Sequence, residues 1–363
     1  MVDVQKLYRK LYALGAIKAA SREAIEDKNG TLEEDAPFSA YPAGIRGIPD
    51  PPFVVPNGMK FAYSKGFDEF PANFDFSLVR DGDHLFFECR IKKAPVLHLT
   101  NAYYLFTMNY GGQTLLLEDA TGIHINGGSL SYAFNYQEKI KTLNPITISP
   151  LNSSGSTQYA PQLNYAFNGC YELEEITIHL DGKNYNYLST DGSYAFYLCR
   201  KLRRINLTYE NAENISYRWS NAFYGENLLE ELPVAFFELA ASIQGSGSLP
   251  DNLRSIPAFD ASKLTGNFSI VCSYQGFPNL TDIGQITNLA PMLIRFRDCP
   301  NLTLQSMVNV VTGLKQVPTP RFFYVASDVL ARMQADTASY TWNGQTYTGI
   351  IALANAKGWT VSS

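Results

Sequence analysis

Apolar side chains recur through the middle of the chain in a fixed frame of positions 0, 3, 6, 9 and 11. Three segments show it most fully: YAFNGCYELEEITI from Tyr165, YAFYLCRKLRRINL from Tyr194 and NAFYGENLLEELPV from Asn221. Phe167, Phe196 and Phe223 open the frame, and Cys170, Cys199 and Glu226 follow. Leu173, Leu202 and Leu229 come next, then Ile176, Ile205 and Leu232, and finally Ile178, Leu207 and Val234. Weaker copies run through Phe134, Ile140 and Leu143, through Pro250, Leu253, Ile256 and Ala258, through Tyr274, Phe277, Leu280 and Ile283, and through Phe296, Cys299 and Leu302. An early copy uses Phe61, Phe67 and Phe70. The intervals between clear copies are 33, 29 and 27 residues, so length varies between motifs and not inside them.

A spacing of three predicts a tight helical or 3-10 turn, and the closing spacing of two predicts a strand with one face buried. Each copy is then a turn-plus-strand coil whose apolar edge is covered only by its neighbours. The expected fold is an α/β repeat solenoid of about seven or eight coils, on the order of 35 Å long at one strand spacing per coil. Leu173, Ile176, Leu202 and Ile205 should form one buried stack.

The flanks differ. Val4, Leu7, Leu11 and Leu14 draw a narrow apolar seam on a helix predicted over residues 4–27, and the Pro-rich stretch Ile48–Gly58 reads as a stiff connector. HLFFECRIKKAPVLHL reads as strand from its alternation, and NAYYLFTMNY as a degenerate copy of the repeat. After the repeats, Leu304, Met307, Val308, Val311 and Leu314 predict a helix. A strand over Arg321–Ala326, a helix opened by Ser327 and Asp328, a hairpin turned by Asn343-Gly344 and a helix ended by Gly358 follow. This divides the chain into an N-terminal helical module for attachment or oligomerisation (1–50), the solenoid (51–303) and a C-terminal mixed α/β cap (304–363).

The AFxxCxxLxxIxL frame at Ala166–Ile178 and Ala195–Leu207 resembles the BspA-type leucine-rich repeat, found in bacterial and some protozoan surface proteins and in proteins encoded by tailed bacteriophages. The resemblance covers roughly residues 61–302. It implies a curved solenoid for adhesion or protein contact, with no catalytic residues to carry over. The tail, with Lys357, Gly358 and Trp359, is similar to the cap that follows such repeats in phage proteins, and PFSAYPAGIRGI at Pro37–Ile48 resembles a short module of phage tail and baseplate proteins.

Composition narrows the chemistry. The 363 residues carry a net charge of −5 without a Lys/Arg-rich run, which argues against nucleic acid and anionic membranes as partners. The N-terminus does not read as a secretory signal, nor does any apolar run suit a membrane helix. The five cysteines read as buried fillers rather than a disulfide framework. His84, His98, His124 and His179 stand at unrelated spacings, and Asp81-Gly82-Asp83 reads as a hairpin turn rather than a calcium loop. The Asn-x-Ser/Thr triplets at Asn29, Asn152, Asn206, Asn214, Asn267, Asn279 and Asn301 read as loop and turn positions. No metal, cofactor or catalytic constellation is expected.

What remains is surface. Tyr185, Tyr187, Tyr209, Tyr217 and Trp219, in the segments after the repeat strands, form a candidate ligand face. Val4, Leu7, Leu11 and Leu14 form a candidate attachment or oligomer interface. The expectation is a non-enzymatic virion protein of a tailed phage, partnered by other virion proteins, by a second or third copy of itself through the N-terminal helix, or by a host receptor. Two alternatives stand beside it: a BspA-type bacterial surface adhesin, and a glycan hydrolase, which needs two carboxylates roughly 5 to 9 Å apart.

Overall fold

The computed structural model describes residues 53–61, 69–70, 72, 74–89, 91–107, 117–149, 162–182, 190–225, 227–270 and 276–363. Val4, Leu7, Leu11, Leu14, Asn29, Asn152, Tyr185, Tyr187, Tyr274, Phe67 and Cys272 lie outside them. The chain forms two compact units, residues 1–54 with 71–75, and residues 55–70 with 76–363. In the first, Phe53–Val54 pairs in parallel with Phe74–Asp75, and the two phenylalanine rings meet at 5.0 Å.

The second unit is a β-solenoid of about seven turns. Its repeat begins with a turn, and the turn explains the spacing of three. The N–H of the frame's fourth residue closes back on the Phe carbonyl (Cys170 to Phe167, 3.1 Å; Cys199 to Phe196, 3.2 Å). The residue two before each Phe sits in the left-handed region: His84, Tyr104, Tyr132, Tyr165, Tyr194 and Asn221 have φ between 51 and 57°. That conformation costs an ordinary residue about 1–2 kcal/mol. It is offset by a ladder in which alternate N–H groups of one turn donate to carbonyls of the next. Phe106 donates to Ala133, Tyr132 to Asn164, Phe134 to Ala166, Tyr165 to Ser193, and Phe167 to Ala195, all at 2.8–3.1 Å. A short polar side chain starts many of the turns by accepting the N–H two residues on, as Asp81, Asn101, Ser129 and Asp191 do for Asp83, Tyr103, Ser131 and Ser193.

The strands come after the turns. Leu97–Leu99 pairs with Ile123–Ile125, and Ile146–Ile148, Glu175–Asp181 and Arg204–Glu210 form a parallel three-stranded sheet. Ile176 faces Ile205 in register, and Leu173, Ile176, Leu202 and Ile205 are buried as expected. Inside the coils Phe86, Phe106, Phe134, Phe167, Phe196 and Phe223 stack in one column, 4.9–6.1 Å between rings. At its N-terminal end Phe61, Phe70 and Phe76 close over Phe86. All four described cysteines are buried, and Cys170 and Cys199 donate to the Phe134 and Phe167 carbonyls one coil back.

A seven-stranded parallel sheet completes the other wall, in the order Trp359–Ser362, Arg321–Val325, Leu293–Phe296, Asn267–Ser269, Ala240–Gln244, Tyr217–Ser220, Thr190–Asp191. The predicted cap elements are present: helices Leu304–Gly313, Ser327–Gln334 and Ile350–Ala356, and a hairpin of Ser339–Trp342 with Gln345–Thr348 through Asn343 and Gly344, both at positive φ. Yet two strands of this region, Arg321–Val325 and Trp359–Ser362, extend the solenoid's own sheet.

Several expectations are corrected. HLFFEC is the turn of an early coil and not a strand, since adjacent Leu85 and Phe86 are both buried; among the described residues of the predicted run only Leu97–Leu99 is strand. Asp81-Gly82-Asp83 starts that turn rather than turning a hairpin, with Asp81 bridged in parallel to Asn101. Val234 is exposed and opens a short helix, Val234–Glu238, because Pro233 has no N–H to carry the ladder on. Ala258 is also exposed: one extra residue makes Phe259 the buried position, facing Ile286 of the next coil. Asn206 and Asn267 lie in strands, not loops.

Candidate binding surface

The left-handed position of the turn aims its side chain outward. His84, Tyr104, Tyr132, Tyr165 and Tyr194 therefore form a second aromatic column, half-buried and facing solvent, parallel to the buried phenylalanines. Successive rings stack at 4.8, 4.5, 4.7 and 4.7 Å with interplanar angles of 2–15°. Asn221 ends the column by donating its amide to the Tyr194 hydroxyl at 2.8 Å. Tyr103, more exposed, packs edge-on against Tyr104, and Tyr197 stacks on Tyr224 beside the column at 5.1 Å. Burial and the neighbouring tyrosines push the Tyr132 phenol up to about 12, and burial raises those of Tyr104 and Tyr165 as well. Tyr104, Tyr132 and Tyr165 thus stay neutral through the ordinary pH range and present a ribbon of rings and hydroxyls. The YAF triplets at Tyr165 and Tyr194, SYAF at Tyr132, YLF at Tyr104 and HLF at His84 were the signal for it in the sequence.

Of the candidate ligand residues, the structure brings Tyr217 and Trp219 into the core, 0 and 1% exposed, and so removes them from the surface. They alternate inward on the Tyr217–Ser220 strand, where Trp219 lies flat on Phe236 at 4.4 Å and donates its indole N–H to the Phe236 carbonyl. Any Cβ at position 192 would stand 2.3 Å from the Trp219 ring, which is why Gly192 is there. Tyr209 is exposed. Its hydroxyl donates to Glu238 at 2.9 Å, its ring has the Lys263 ammonium at 5.8 Å, and burial followed by the Glu238 bond raises its phenol.

Beside Lys263 is an open groove of about 450 Å³, lined by Glu213, Ser216, Arg218, Ser242, Lys263 and Thr265 among others. Lys263 donates to the Ala212 and Ile215 carbonyls; burial lowers its pKa, while Glu213 and Glu238 act in the opposite direction.

The histidines are not scattered in space. His98 and His124 face each other in register on adjacent strands with rings 4.8 Å apart, and His179 lies 3.5 Å from Glu210 and 2.9 Å from the Thr208 hydroxyl. Among the described residues no group of three or more His, Cys, Asp or Glu side chains could hold a metal ion, and no helix is long and apolar enough to cross a membrane. No protein-family model, no curated protein and no solved structure matches the chain.

Proposed function

We propose that this protein is a non-enzymatic binding scaffold, a leucine-rich-repeat solenoid of the BspA type that serves as a structural component of a tailed-phage virion. The observation that carries the binding role is the outward column from His84 to Tyr194. Stacked tyrosines already held in one rotamer offer contact area with little further entropy to lose, so a partner pays mainly for desolvation. Hydrogen bonds between coils keep the column straight, and a partner meets a preformed ribbon. The virion assignment draws on the resemblance of the AFxxCxxLxxIxL frame and of the Lys357-Gly358-Trp359 tail to phage proteins.

The test is quantitative mass spectrometry of density-purified particles from a lysate that encodes the chain. The reading predicts the protein at a fixed copy number per particle, retained through repeated banding. Its absence from banded particles, or a loss on washing in step with soluble host proteins, would contradict it.

A further inference from the structure

The outward side of the seven-stranded sheet carries a chemically different surface. Strand alternation puts Arg218, Ser242, Asn267 and Leu293 in one row across four adjacent strands, and Ser220, Gln244, Ser269 and Arg295 in the next, with Ser242 and Ser269 themselves largely buried. On the two strands between the arginines these rows hold only hydroxyl and amide side chains, with the Asn267 amide donating to Gln244 at 3.1 Å.

The arginines themselves stand out. Elsewhere on the solenoid Arg203, Arg204 and Arg254 are ion-paired with a glutamate of the preceding coil, and Arg321 and Arg332 donate to backbone carbonyls. Arg218 and Arg295 have neither a side-chain hydrogen bond nor an ion pair among the described residues, and the Arg295 Nε is buried without a partner. Arg218 reaches the groove of about 450 Å³, where Lys263 has two of its three N–H donors on carbonyls and Ser216, Ser242 and Thr265 supply hydroxyls.

A partner that covers this face must satisfy rows of hydroxyls and amides, since burying them against apolar surface would leave them unpaired. It must also offer anions to two guanidinium groups three strand steps and two residues apart, roughly 16 Å at the usual strand geometry. Guanidinium forks bind carboxylate and phosphate in two-pronged pairs. We infer that this sheet face binds an acidic polysaccharide, a hydroxyl-rich chain whose spaced carboxylate or phosphate groups pair with Arg218 and Arg295. None of the tyrosine column's residues takes part, so failure of this inference and failure of the docking role are separable.

The full chain is titrated against four fluorescent polymers: hyaluronate oligosaccharides as the carboxylate source, phosphomannan as the phosphate source, dextran as a neutral sugar, and poly-L-glutamate as an acid without sugar. Saturable binding of at least one of the first two is expected, with dextran and polyglutamate at least about tenfold weaker. Arg218→Gln and Arg295→Gln should each weaken that binding by about tenfold, and Arg254→Gln, which removes a basic group elsewhere, should leave it unchanged. Ser242→Tyr fills the groove while keeping both charges; it should also abolish binding, and it stands in if an arginine variant fails to fold. Failure of both acidic polymers to bind, equal binding of dextran or polyglutamate, or unchanged binding by the variants overturns the inference.

Discussion

At the scale of the residue, two positions in the repeat carry most of the structure. The buried leucines and isoleucines are fixed by stacking: Leu173 and Leu202 are wholly buried, and truncating either to Ala should cost about 2–5 kcal/mol in denaturant unfolding. The tyrosine two before each Phe is fixed by backbone geometry as well as by its ring. At Tyr165, with φ of 54°, glycine removes the stacking but relieves the left-handed strain, whereas alanine removes the stacking and keeps the strain. Tyr165→Gly should therefore be more stable than Tyr165→Ala by about 1 kcal/mol, the reverse of the usual order inside an element. Equal stabilities would mean that the ring and not the backbone sets the residue there. The Tyr132 phenol adds a pH dependence. Its folded pKa of about 12 lies above the ordinary value near 10, so its contribution is fully present below pH 10 and is lost as pH rises towards 12. Tyrosinate absorbance during alkaline titration should show a late-ionising fraction that Tyr132→Phe reduces, leaving the part due to Tyr340, which burial and its bond to Asp336 also raise to about 12.

At the scale of the element, the chain's own pattern announced the turns and the C-terminal helices but not their full roles. The frame from Phe to the second Leu keeps its spacing because each turn must place its Phe, Cys and Leu on a fixed column, so it was legible in every clear copy. The strand that follows was legible only where it was long. Ile176 and Ile178 alternate as a strand should, whereas at Val234 the preceding Pro233 breaks the ladder and at Ala258 an added residue shifts the buried position to Phe259. From sequence the segment of Tyr217 and Trp219 reads as a surface insert, whereas it is a strand of the seven-stranded sheet whose inward residues fill the core. Nor does any local pattern show that Trp359–Ser362 returns to pair with Arg321–Val325, which is a long-range event. That return buries Lys357, whose ammonium donates to the Val311 and Thr312 carbonyls at the end of helix Leu304–Gly313 and whose pKa burial lowers to about 8. The unfolded chain keeps this lysine protonated to about 10.4, so between about pH 8 and 10.4 the folded state binds fewer protons and gains stability as pH rises. The stability difference between the wild type and Lys357→Met should move in favour of the wild type across that interval, and a flat difference would remove the depressed pKa.

In the molecule as a whole, the coils of the solenoid unit bond mainly to their neighbours, with one aromatic column inside and one outside. Nearest-neighbour stacking of this kind makes a stiff support, and stiffness is what a docking surface needs from it. Residues 1–50, predicted from sequence to be the attachment module, lie outside the described residues; their deletion should leave a folded solenoid that no longer joins the particle. The outward column is proposed as the place where this scaffold meets its partner. Hydroxyl-radical footprinting, read by mass spectrometry on the free protein and on intact particles, measures this at each tyrosine. Tyr104, Tyr132, Tyr165 and Tyr194 should be labelled in the free protein and protected in the particle, with exposed Tyr209 unchanged. Equal labelling of the four column tyrosines in both states would contradict that docking role.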